Sequence, residues 1–362
     1  MSVTRINLTE PMFGETEKIF LENEEFKISL LRYCSGVCAA RIENSQLSLV
    51  VLPFQGQQIW RLSSRTRELT MKSVFDEPEN TTRFGLNYGG FLIHCGLTST
   101  GNPSAQDSHP LHGELPNCQY QKAHFLLGSE GNRDYVALGG CFTYRNSLEY
   151  TYAFEPEMRL FKDSTVVEME VRATNYRCKP MKYMYMAHIN WLPVELSRLV
   201  YSADRSTIEV FNDTFGLPEG DGDQFRAYVE RLEKQSSLAD VIDSQTQVYD
   251  PELCMYMRYL PDEDGFAHAM QVFPEGDAGY VAFRTAELPN AVRWFARTGD
   301  EDAVGFAIPA TNNHLGFSRN DEKGLIRQIP AKGSISMRYK FGHLNASEAK
   351  KVTQTIDQIC NG

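Results

Sequence analysis

Alternation between apolar and polar positions is the main signal along this chain. In "STVVEMEVRATN", Val167, Met169 and Val171 alternate with Glu168, Glu170 and Arg172, the two-residue period of a strand with one wet face. The period returns near the end in "SISMRYKFG". From Gln46 to Thr70, "QLSLVVLPFQGQQIWRLSSRTRELT" reads as a strand, a turn at Pro53 to Gly56, and a second strand in which Ile59 and Trp60 sit among polar residues. "KYMYMAHINWLP" is a short apolar run closed by Pro193. A proline suits a strand exit, so His188 is expected to project from a strand end. Helical spacing is confined to two places. Phe225, Tyr228, Val229 and Leu232 recur at helical intervals in "DQFRAYVERLEKQ", a helix expected on an excursion between strands. Asn345 and Glu348 have capping-box spacing, and Val352, Ile356 and Ile359 follow; this predicts a closing helix over about 346–360, docked on a sheet face. No Ser/Gly/Pro linker divides the chain, because "LPEGDGDQ" from Leu217 to Gln224 reads as one loop. The expected fold class is all-β: one antiparallel β-sandwich domain over residues 1–362, with a few peripheral helices.

Charge and cysteine usage narrow the partners. The 36 basic and 47 acidic residues leave a formal charge of −11, and no Lys/Arg stripe interleaves with aromatics, so no nucleic-acid partner is expected. The N-terminal stretch lacks an apolar signal core, and no segment is long and apolar enough to span a bilayer. The expectation is a cytoplasmic protein with no membrane partner. Eight cysteines are scattered, and Cys34 and Cys38 have no second pair to complete a zinc site, so reduced thiols are expected.

Titratable groups concentrate in "FLIHCGLTSTGNPSAQDSHPLHGELPN", Phe91 to Asn117, which holds His94, His109 and His112, three of the chain's eight histidines. With "VVLPFQGQQIWRLSSRTRELT", "ATNYRCKPMKYMYMAHINW" and "GFAIPATNNHLG", this stretch carries a resemblance. In this order, the four motifs resemble the aldose 1-epimerase (galactose mutarotase) superfamily, and specifically its aldose-epimerase-like branch. The resemblance implies a galactose-mutarotase-like antiparallel β-supersandwich that binds a sugar and interconverts its anomers without an organic cofactor. By the same resemblance His112 in "PLHGE" and His188 in "MAHIN" occupy the two family histidine positions. His188 would then protonate the ring oxygen and His112 would polarise it.

Anomer exchange moves protons at the ring oxygen and the anomeric hydroxyl, for which a histidine pair and a carboxylate are suited. Much of the superfamily carries a glutamate base before the proline of a late "PxT" motif, and here "GFAIPAT" places Ile308 there. Glu114, two residues after His112, is the first substitute, since both would face one side if the chain were extended. Asp107, Glu195, Asp221 and Asp223 are weaker substitutes. A solvated turn acid is the plain alternative for Glu114, and a satisfied core histidine for His188. For sugar contact the expected residues are Asn190 and Trp191, beside His188, with His94, His314, Arg83 and Arg297. Packing explains His94 equally well, and a surface ion pair explains either arginine. His109 reads as loop surface and Asn175 as a turn anchor. Two rival classes stay open. One is a metal-dependent sugar isomerase or lyase using the His94 to Glu114 segment, although that spacing follows no metal motif and no metal is expected. The other is a non-catalytic sugar sensor. A sugar is the expected partner, and a homodimer stays open.

Overall fold

Strands pair in antiparallel fashion into two large sheets in the computed structural model, which describes residues 3–211, 222–250 and 252–361. The first sheet has nine strands, in the spatial order Thr4–Leu8, Lys122–Glu130, Arg133–Asn146, Tyr150–Phe161, Val166–Asn175, Ser334–Leu344, Ala278–Arg284, Phe266–Val272 and Arg198–Tyr201. The second has twelve. Its path runs Glu209–Phe211, Leu253–Arg258, Asn290–Arg297, Asp302–Ala310, Met181–Ile189, Leu92–Leu97, Ile59–Ser64, Leu47–Val51, Cys38–Glu43, Lys27–Arg32 and Lys18–Glu22, with Arg327–Ile329 alongside Met181–Ile189. This is the galactose-mutarotase-like β-sandwich expected from the sequence.

The alternation explains which face is buried. Val167, Met169 and Val171 are at most 4% exposed and join one apolar cluster with Leu49, Tyr185, Phe295 and Phe341 from both sheets. Burying a side chain of that size is worth roughly 1.5–3 kcal/mol, so the dry face of each strand sets its register. The predicted hairpin pairs Leu47–Val51 with Ile59–Ser64. Trp60, expected among polar residues, is fully buried in a satellite cluster with Val37, Ala39, Val50 and Leu52, and Arg61 lies over its ring.

Both predicted helices form. Asp223–Lys234 buries Phe225, Tyr228, Val229 and Leu232. The closing helix spans Ala346–Asn361; the Asn345 side chain accepts from the Ser347 and Glu348 amides, and Glu348 Oε2 accepts in turn from the Asn345 amide. Its apolar stripe packs with Met270, Tyr280 and Ala282 of the nine-stranded sheet. Among the described residues no helix is long and apolar enough to cross a membrane.

Met181–Ile189 does not alternate, being buried at almost every position. It is central in its sheet, with its inner face in the sandwich core and its outer face covered as well. Ile93, Cys95, Met186, Cys254, Val292, Trp294 and Ile308 form a second apolar cluster on that outer face, with Met186 opposite Cys95 and Cys254 opposite Trp294. The candidate site is built on this cluster.

Candidate functional site

The loop from Thr98 to Asn117 is folded down onto the outer face by its own backbone. His112 donates its amide to Gly101 O and accepts from the Gly96 amide, while Glu114 and Leu115 donate to Gly96 O. His112 itself has φ +59° and Gly113 φ +83°. At Gly113 a side chain would place Cβ 2.2 Å from Ser99 O, so only glycine allows this turn. Asp107 pins the far end, accepting from the amides and hydroxyls of Ser104 and Ser318. Burial opposes its charge, but those four donors prevail and hold its carboxyl down at about 2. His109 Nε2 accepts from the Phe317 amide. The short helix Gly316–Glu322 is thereby tied to the loop.

His112 and His188 meet under this loop, their rings 5.2 Å apart and nearly perpendicular. Phe84 packs on His112 at 4.6 Å, and Tyr88 and Trp294 pack edge-on against His188 at 5.7 and 5.4 Å. A cavity of about 190 Å³ opens beside them, bounded also by Asn102, Leu111, Met186, Glu252, Cys254, Val292 and His314. The two expected histidines and His314 therefore share one pocket. Ile308 lies fully buried in the apolar cluster beneath it, against Val292.

Asn190 fixes the chemistry of His188. Its Nδ2 donates to Gly90 O at 2.9 Å, which directs Oδ1 toward His188 Nδ1 at 2.7 Å. An amide oxygen can only accept, so Nδ1 carries the proton and Nε2 is left as the acceptor. Burial holds His188 down to about 4, with the Asn190 bond offsetting part of the effect. His112 lies well below its ordinary value, first through burial and then through the neighbouring His188, His314 and His109. Its Nδ1 is buried without a hydrogen-bond partner. Both rings are therefore neutral near pH 7.

Several expected site residues lie elsewhere. Glu114 does not share a face with His112, because the left-handed turn at His112 and Gly113 breaks the extended spacing. Its carboxyl accepts from the Leu97 and Thr98 amides, the Thr98 hydroxyl and the Tyr152 hydroxyl. Burial raises its pKa, and the Thr98 and Tyr152 bonds only moderate that. His94 points into the sandwich core: it is fully buried, its Nδ1 is 2.7 Å from the Tyr185 hydroxyl, and that hydroxyl is 2.9 Å from the Tyr339 hydroxyl. Burial alone lowers its pKa to about 3. Trp191 is also fully buried, against Phe91 and Phe306. Asn190 supports His188 and does not line the cavity. Arg297 is engaged by Glu195 and Asp302 beside a different groove, and Arg83 is exposed outside the cavity wall.

The weaker acids are accounted for in the same way. Asp107 serves the loop, Glu195 pairs with Arg297, Asp223 is exposed beside Arg226, and Asp221 lies outside the described residues. Among the described residues no group of three His, Cys, Asp or Glu side chains is placed to hold a metal. Of the suggested ligand set, His94 faces the core beside Phe154 whereas Cys95 faces the outer cluster.

Two residues of the cavity had no sequence signal. Glu252 brings a carboxyl group to it and accepts from Trp294 Nε1 at 2.6 Å. Glu252 stands just before a buried strand in no motif. The parity of Cys254 and Tyr256, both in the outer-face set, would have placed Glu252 on that face had the strand been recognised. Trp294 lies on the cavity wall, whereas Trp191, an odd number of positions from His188, is buried in the core.

The fold is a β-sandwich of the galactose mutarotase-like type. Residues 34–198 match a family model described as a domain of unknown function, DUF4432. No curated protein matches the chain. Among solved structures, a "putative aldose 1-epimerase" of Klebsiella pneumoniae superimposes with TM-score 0.84 at 17% identity, covering 99% of this chain and 96% of that one. A galactose mutarotase-like protein of Clostridium acetobutylicum gives 0.58 at 14%, covering 89% and 100%. The galactose 1-epimerase of Lactobacillus acidophilus gives 0.52 at 12%, covering 94% and 98%.

Proposed function

We propose that this protein binds a monosaccharide in the cavity between His112, His188 and Glu252 and exchanges its anomers by proton transfer. The observation that carries the reading is the ring-to-ring contact of the two histidines, with a carboxyl group in the same small cavity. Its support from the comparisons is that the fold is shared with proteins named as aldose 1-epimerases. At about 190 Å³, the cavity is smaller than the roughly 300–1,000 Å³ that drug-sized ligands occupy. That suits one sugar ring.

In the proposed reaction a base takes the anomeric hydroxyl proton while the bond from the anomeric carbon to the ring oxygen breaks. The ring oxygen gains a proton from an acid. The open aldehyde turns about its first carbon–carbon bond and closes on the other face, reversing both transfers, so nothing is gained or lost. Glu252 takes the part that Glu114 was expected to play, and His188 Nε2 is the second proton site. His112 hydrogen-bonds the ring oxygen.

Because one group must give a proton while the other accepts, Glu252 and His188 have to hold one proton between them. His188 is held down to about 4, so its proton-donating form is depleted as pH rises. The enzyme-catalysed kcat/KM should therefore fall with rising pH, approaching tenfold per unit. Polarimetry on freshly dissolved pure anomers, with the spontaneous rate subtracted, tests this. A catalysed rate that climbs from about pH 5 to 8 contradicts the assignment.

A further inference from the structure

We infer that the cavity beside His112 and His188 selects an uncharged deoxy sugar, one that presents a methyl or methylene carbon to a wall made by Met186, Val292 and Trp294. This rests on the reading of that cavity as the sugar site and adds the class of sugar.

Charge is the first ground. No lysine or arginine lines the cavity among the described residues, and the sequence at positions 1–2, 212–221, 251 and 362 contains neither. Phosphate and carboxylate groups are held by Arg or Lys forks or by clusters of backbone amides. Here the anion-capable side chain is Glu252, which opposes a second negative charge, and the buried imidazoles are neutral at pH 7. Other grooves of the molecule do contain cations. Arg61, Lys72 and Arg297 line one of about 770 Å³, and Arg258, Lys323 and Arg327 line one of about 590 Å³. Of these three cavities among the described residues, only the histidine pocket is lined by no lysine or arginine.

Polarity is the second ground. Met186, Val292 and Trp294 belong to the buried apolar cluster of the outer face. The Trp294 ring nitrogen is committed to Glu252 and offers nothing to a hydroxyl. Ile308 lies in the same cluster, so the layer beneath that wall is apolar too. Of the polar groups of the pocket, His112, His188 and Glu252 are assigned to the reacting oxygens, which leaves Tyr88, Asn102 and His314 for the other hydroxyls and none on the wall of Met186, Val292 and Trp294. A hydroxyl turned toward the apolar wall would lose its water partners without replacement, whereas a methyl or methylene would be buried favourably.

The test is titration calorimetry of the full chain with D-fucose (6-deoxy-D-galactose), D-galactose, D-galacturonate and D-galactose 6-phosphate, with fucose anomer exchange followed in parallel by NMR. Fucose should bind at least about tenfold more tightly than galactose, within the roughly 10- to 200-fold range of one methylene-sized change in an apolar pocket. Val292→Thr, which keeps the shape and adds a hydroxyl, should shrink that preference while the thermal midpoint stays close to that of the parent. Glu252→Gln should raise galacturonate affinity relative to fucose affinity. Tighter binding of galactose 6-phosphate or galacturonate than of fucose, abolished by Trp294→Ala, would overturn the uncharged-sugar inference and leave the location of the sugar site intact. Galactose binding as tightly as fucose overturns the deoxy preference alone. Sugar binding indifferent to both Val292→Thr and Trp294→Ala, or no binding of any of the four sugars, removes the site reading and the inference together.

Discussion

His94 and His188 stand on neighbouring strands of one sheet, both almost completely buried, yet they serve opposite faces. His94 enters the core and is joined to Tyr185 and Tyr339 in a hydroxyl chain. His188 faces outward, its Nδ1 held by Asn190 and its ring against His112 beside an open cavity. In the register of the two strands, His188 lies opposite Ile93, and Ala187 opposite His94. One step along a strand separates a packing histidine from a candidate catalytic one. What distinguishes them is the use of the remaining nitrogen: toward apolar core in one case, toward a solvent-reachable cavity in the other. The tryptophans divide in the same way, Trp191 into the core and Trp294 onto the cavity wall.

Substitutions that separate the two faces sharpen this comparison. The largest effect is expected at the cavity: His188→Asn or Glu252→Gln should lower catalysed anomer exchange by about 10²- to 10⁴-fold, with little change in the urea midpoint. Next are the tryptophans. Trp191→Ala should cost about 3–5 kcal/mol of stability, as loss of a large buried ring does, whereas Trp294→Ala should mainly weaken sugar binding; chemical denaturation and calorimetry distinguish the two. His94→Ala should destabilise by about 2–4 kcal/mol through the cavity it leaves, without a specific loss of turnover in the protein that remains folded.

The smallest effects concern Glu114 and pH. Glu114→Gln disturbs a carboxyl that serves the Leu97 and Thr98 amides, so a loss of about 1–3 kcal/mol is expected, again with turnover kept. A turnover loss like that of Glu252→Gln would reassign the base to Glu114. Buried neutral histidines also make stability pH-dependent. His94, His112 and His188 have folded pKa values below the unfolded one, so between those values the unfolded chain binds more protons. Stability is therefore full above the unfolded value near 6.5 and falls as pH drops, by at most about 1.4 kcal/mol per unit for each histidine. For His94 that window reaches down to about 3. Replacing His94 by Gln should remove one proton's worth of slope from denaturation midpoints measured across that window.

Where one strand face is wet, the sequence was readable. Val166–Asn175 and the hairpin of Leu47–Val51 with Ile59–Ser64 follow from alternation, and the Ala346–Asn361 helix follows from its Asn345–Glu348 capping box. The site was readable at His112, His188 and His314, the first two through the resemblance that their motifs carry. Leu92–Leu97 and Met181–Ile189 are covered on both sides and have no alternation with which to tell inner residues from outer ones, so nothing local marks His94 on the first strand, or Trp191 just past the second, as core residues. The misplacement of Glu114 has a local cause: two positive-φ residues in succession invalidate spacing that holds in extended chain. Glu252 reaches the cavity by a pairing far from the histidine loop in sequence, a long-range fact that no motif encodes.

The central claim is that the outward histidine, and not its inward neighbour, exchanges protons with a sugar. Exchange-transfer NMR between the α and β anomeric protons of D-fucose and D-galactose tests it directly, comparing the parent chain with His188→Asn and with His94→Gln at matched folded concentration. The account predicts catalysed exchange in the parent and in His94→Gln, and a fall of about 10²-fold or more in His188→Asn. Equal rates in the parent and His188→Asn, or loss confined to His94→Gln, would contradict it.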